Sequence, residues 1–92
     1  RIIRMLEHNR GYTPNYFVIL KDQPVKWIIT AEAPYSCASS LVVPSLRIKT
    51  QLKAGENILE FTPDKIGEIR FSCSMGMYSG KFVVVDNSKD LR

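Results

Sequence analysis

The run Cys73-Ser74-Met75-Gly76-Met77-Tyr78-Ser79-Gly80 gathers one thiol and two thioethers in a single short loop. Thiolate and thioether are soft donors, which select copper(I), silver(I) and similar ions over harder cations. Copper(I) accepts low coordination numbers, so three sulfurs can suffice. The thiol must ionise to bind, so affinity is expected to fall in acid. Geometry sets a condition. Same-face neighbours of a straight strand lie about 7 Å apart, too far for Cys73, Met75 and Met77 to share an ion. Gly76 removes the obstacle, because without a Cβ it lets the chain reverse sharply, and a thiolate and at least one thioether can converge. The competing reading is core packing, a common use of methionine. Two methionines in a glycine-containing loop after a strand-end cysteine fit that use poorly.

The second cysteine, Cys37, lies in Ser36-Cys37-Ala38-Ser39-Ser40, ahead of an apolar stretch. Three roles are open to it: a second ligand, a small buried hydrophobe, or the disulfide partner of Cys73. A disulfide closing that span would stabilise by about 3–4 kcal/mol. The spacing of the two cysteines matches neither a zinc knuckle nor a thioredoxin motif. His8 is the only histidine, whereas a blue-copper centre combines two histidines with a cysteine. Far in sequence from both cysteines, His8 reads as a surface or edge residue. The chain shows no Ser-His-Asp set and no phosphate-cradling glycine motif, and Glu56, Glu60, Asp64 and Glu68 read as turn and surface charges. A non-catalytic protein is expected.

These loops must be held by a small scaffold. The 92 residues suit one domain, read as residues 1–86 with a polar tail or linker at 87–92. Thirteen basic and nine acidic residues give a net charge of +4, but they are scattered. Nucleic-acid binding needs a concentrated cationic face, so no nucleic-acid partner is expected. No apolar run approaches the ~20 residues that span a bilayer, and no leader is visible. The chain opens on Arg1, which suggests an excised domain or processed product.

Period-two alternation and turn residues predict about eight short strands. Residues 2–6, 16–20, 25–30, 41–43, 48–52, 57–61, 68–73 and 81–85 carry it. In the third, Val25, Trp27 and Ile29 share the inward face. In the seventh, Ile69, Phe71 and Cys73 share a face, which puts the Cys73 sulfur at one end of the core. Gly11 to Asn15 reads as a break, and residues 31–40 and 74–80 as loops. Many short strands with frequent turns predict an all-β Greek-key sandwich.

The residues also resemble a known family. Gly11-Tyr12-Thr13-Pro14-Asn15 with Gln23-Pro24-Val25-Lys26-Trp27 resembles the opening of cupredoxin domains, and Leu52-Lys53-Ala54-Gly55-Glu56-Asn57 through Phe61-Thr62-Pro63 resembles their middle. Phe71-Ser72-Cys73 through Gly80, followed by a valine-rich strand, resembles their copper loop. The likeness covers nearly the whole chain. It is nearest to the cupredoxin-like domains attached to bacterial heavy-metal and sulfite-exporter-type membrane proteins. It implies a cupredoxin-like sandwich of seven to eight strands, with Cys37 in the place of the family's first ligand and Cys73 in that of the strand-end cysteine. Met77 matches the family's methionine better than Met75 does. Sulfur in place of histidine favours copper(I). The resemblance thus implies a copper(I)- or silver(I)-binding module, extracytoplasmic and tethered to a membrane transport protein. A metal-free interaction domain stapled by Cys37–Cys73 and an atypical copper electron-transfer domain are the alternatives.

Overall fold

Among the described residues, alternating apolar and polar side chains carry the chain through nine strands: β1 (Ile2–His8), β2 (Gly11–Thr13), β3 (Tyr16–Leu20), β4 (Val25–Ala31), β5 (Ser40–Val43), β6 (Ile48–Gln51), β7 (Gly55–Phe61), β8 (Gly67–Cys73) and β9 (Ser79–Val85). Short 3-10 turns, Cys37–Ser39 and Pro44–Leu46, flank β5. The computed structural model describes residues 1–33 and 36–86, leaving aside the Cys37 side chain. The polar tail expected at 87–92 lies outside the described residues.

The strands form two sheets, ordered β2-β1-β4-β7 and β3-β9-β8-β5-β6. Most neighbours are antiparallel, but β1 pairs with β4 and β3 with β9 in parallel. The chain therefore crosses between sheets early. The inward residues of both sheets meet in one aromatic core. Trp27 is fully buried, its ring centroid 4.8 Å from that of Phe82 and 5.0 Å from that of Phe71. Val25, Trp27 and Ile29 point inward as their spacing predicts, and so do Ile69, Phe71 and Cys73.

The structure agrees with the expected sandwich of about seven to eight strands, and β2, in a stretch the sequence reads as a break, brings the count among the described residues to nine. Gly11 adopts φ +122°, a conformation that favours glycine. The chain turns there and still delivers Tyr12 to the core at 5% exposure. The second difference lies in β1, which runs two residues past the expected end at Leu6. The inward alternation Ile3, Met5 continues to Glu7, which is completely buried.

Candidate metal centre

Cys73 is the last residue of β8, and its side chain is buried at 1% exposure. The loop beyond it is organised on this one residue. The Cys73 N–H donates to Tyr78 O at 2.9 Å, closing the loop, and Cys73 O accepts the Gly76 N–H at 2.9 Å. Gly76 makes that turn with φ +75°, the freedom its missing Cβ supplies. The reversal aims the Met77 N–H at Cys73 Sγ, 3.1 Å away. An N–H directed at sulfur presents the positive end of a dipole to the atom that carries the charge of a metal-binding thiolate.

Met75 and Met77 stand outside the core, 75% and 65% exposed. Core packing therefore does not account for them. Of the two, Met77 is tied to the sulfur through its own amide, whereas Met75 sits at the corner of the turn.

Cys37 opens the 3-10 turn that leads into β5. In β5, Leu41 is in register with Cys73, and Ser40 O accepts the Ser74 N–H at 2.8 Å. The turn packs against β8. The backbones of the two cysteine-bearing segments therefore meet at one end of the sandwich, while the direction of the Cys37 side chain lies outside the described residues.

The β1–β2 hairpin reaches the same end. Its Gly11 lies under the Tyr78 ring, where an added Cβ would come within 3.0 Å of a ring carbon, and Tyr78 OH donates to Asn9 O at 3.1 Å. His8, at the end of β1, belongs to this hairpin although it is far from both cysteines in sequence. Its ring is engaged locally: Nε2 lies 2.7 Å from Thr13 Oγ1, and Nδ1 accepts the Arg10 N–H at 3.2 Å. Among the described residues no three His, Cys, Asp or Glu side chains cluster as a metal site. The sulfur side chains of this loop, Cys73, Met75 and Met77, are of the type that suits a soft ion.

Comparison with known proteins places this fold in a class. Residues 2–84 match the profile of the cupredoxin-like domain, and the chain belongs to that family. No curated protein matches it. Among solved structures, it is similar to the metal-binding domain of the Streptococcus pneumoniae D39 Cu(I)-exporting P-type ATPase CopA with Cu(I). That match has 27% identity and a TM-score of 0.84, covering 92% of this chain and 85% of that one. It is also similar to a copper binding protein solved in the apo form, with 33% identity and a TM-score of 0.83 over 91% of this chain and 86% of the other. Oxidized amicyanin M98K, at 19% identity and a TM-score of 0.67 over 90% of this chain and 81% of that one, shares the fold.

Proposed function

We propose that this domain binds copper(I) as cargo, through the thiolates of Cys73 and Cys37 and the thioether of Met77, with Met75 as the second candidate thioether. The observation that carries the reading is the Cys73 loop, a buried sulfur approached by the Met77 amide beneath two exposed methionines. The likeness to a CopA domain holding Cu(I) supports copper as the metal. Silver(I) shares the preference for soft donors. The module acts beside a membrane transport protein, outside the cytoplasm, and handles the ion without catalysis. The location outside the cytoplasm rests on the family resemblance alone, and the transport partner rests on that resemblance and on the Cu(I)-exporting ATPase whose domain this chain is similar to.

Copper(I) is favoured over copper(II) because this chain has a single histidine, and His8 already bonds to Thr13 and to the backbone of Arg10. A two-histidine blue-copper centre is not available to it.

The test is anaerobic titration with copper(I) against a chromophoric copper(I) chelator. The parent takes up about one equivalent, and Cys73→Ser loses at least ~100-fold in affinity, about 2.7 kcal/mol. Unchanged affinity in Cys73→Ser overturns the assignment. Added copper(II) should give no intense visible thiolate band, and a strong one would favour electron transfer instead.

A further inference from the structure

Glu7 is the one acidic residue buried in the described part of the chain, at 0% exposure. It occupies an inward strand position, where an apolar side chain would ordinarily stand. Burying a carboxyl group carries a desolvation cost that hydrogen bonds offset only in part. Departures of this kind concentrate where a site must be held.

Both carboxyl oxygens of Glu7 are bonded to the segment that leads into Cys37. One carboxyl oxygen accepts the Ala33 N–H at 3.0 Å, the other accepts the Ser36 hydroxyl at 2.8 Å, and the Glu7 backbone oxygen accepts the Glu32 N–H at 2.8 Å. Ser36 passes the restraint on. Its Oγ accepts the Ala38 N–H at 3.2 Å, and its carbonyl oxygen accepts both the Ser39 N–H at 3.1 Å and the Ser39 hydroxyl at 2.8 Å. Ser36 thereby caps the 3-10 turn that begins at Cys37. From the same hairpin, the buried Tyr12 hydroxyl donates to Ala38 O at 2.7 Å. Residues 36 and 38, which bracket Cys37, are each tied to the β1–β2 hairpin, and through Tyr78 that hairpin also contacts the Cys73 loop.

We infer that Glu7 is a positioning residue for the metal centre, fixing the Cys37 backbone relative to Cys73 through Ser36. The inference rests on the copper(I) reading above. A cysteine held in place before the metal arrives loses less freedom on binding, which raises affinity without adding a contact. Carboxyl and hydroxyl together make the clamp, because a carboxyl group accepts at both oxygens while the Ser36 hydroxyl donates to one and still accepts from Ala38. A glutamine at position 7 keeps the shape but turns one acceptor into a donor.

The test is a double-mutant cycle. Copper(I) affinity is measured by chelator competition for Glu7→Gln and Ser36→Ala, each in the parent and in a Cys37→Ser chain, with unfolding followed in parallel. Val84→Ala, which removes core volume in β9 opposite Gly67, serves as the control for lost stability. Glu7→Gln and Ser36→Ala are expected to weaken binding about tenfold in the parent, with the loss vanishing in the Cys37→Ser chain. Val84→Ala should lose stability and keep its affinity. Should Glu7→Gln fail to fold, Ser36→Ala carries the same comparison. Parent-like affinity in both variants overturns the inference, and so does a loss that persists undiminished without Cys37, or an equal loss in Val84→Ala. A parent chain that binds no copper(I) brings down the functional reading itself, a result distinct from the others.

Discussion

At the scale of single residues, a few backbone bonds shape the Cys73 loop, the proposed site. Strand alternation makes the inward direction of Cys73 legible in the sequence, and the need for Gly76 follows from the reversal that three sulfurs require. The bond from the Met77 amide to Cys73 Sγ is not legible, because it depends on the turn closing between Cys73 and Gly76. That bond separates the two methionines. Since the Met77 backbone is anchored at the sulfur, its thioether has the shorter search to a shared ion. Met77→Ala should weaken copper(I) binding about tenfold or more, whereas Met75→Ala, at the outer corner, should cost less than about threefold. Competition titrations of the two variants decide it, and the reverse order would move the ligand role to Met75. Both side chains are well exposed, so neither substitution should shift the unfolding midpoint appreciably.

Among the elements, the β1–β2 hairpin is the part the sequence conceals. Glycine beside Thr-Pro reads as punctuation, and only Gly11 at positive φ reconciles a turn with a buried Tyr12. Glu7 did leave a signal. It continues the inward series of Ile3 and Met5, but a charge at that position reads as the end of a strand. Strand β9 shows a different constraint. Gly80 lies opposite Phe71, and a Cβ there would run into the Phe71 ring and stand 2.5 Å from Asn15 O. The backbone oxygen is held by the Lys81 N–H at 2.9 Å, and the ring packs on Trp27, so neither has room to retreat. Gly80→Ala should therefore destabilise the fold by about 1–3 kcal/mol, read as a lower denaturant midpoint with an altered near-ultraviolet aromatic signal. Ser79→Ala, one residue earlier and exposed, should leave both unchanged.

Over the whole molecule, the all-β class and the burial of Trp27 were written in local alternation, but the sheet order was not. The parallel pairings of β1 with β4 and β3 with β9 join segments whose own sequences carry no mark of their partner. They are fixed only when both inner faces close on the shared core. The outer faces contribute little to that choice, and their ion pairs show it. Glu68 on β8 meets Lys81 on β9 at 2.8 Å and Arg70 at 3.4 Å, on a solvated surface. The hydrogen bond from Lys81, and then its charge, hold the Glu68 carboxyl below its ordinary value of 4.5, with a smaller contribution from Arg70. A carboxyl group depressed in the folded state stabilises the fold at pH values above its unfolded pKa. That contribution fades as the pH falls from there through the lower folded value. Glu68→Gln should thus be slightly less stable than the parent at pH 7, and the gap should close in acid once the parent's carboxyl is protonated as well. Urea unfolding of both chains at pH 7 and at about pH 3 measures the two differences. A gap that stays constant across that range would show that the β8–β9 ion pair contributes nothing to holding the strand that ends in Cys73.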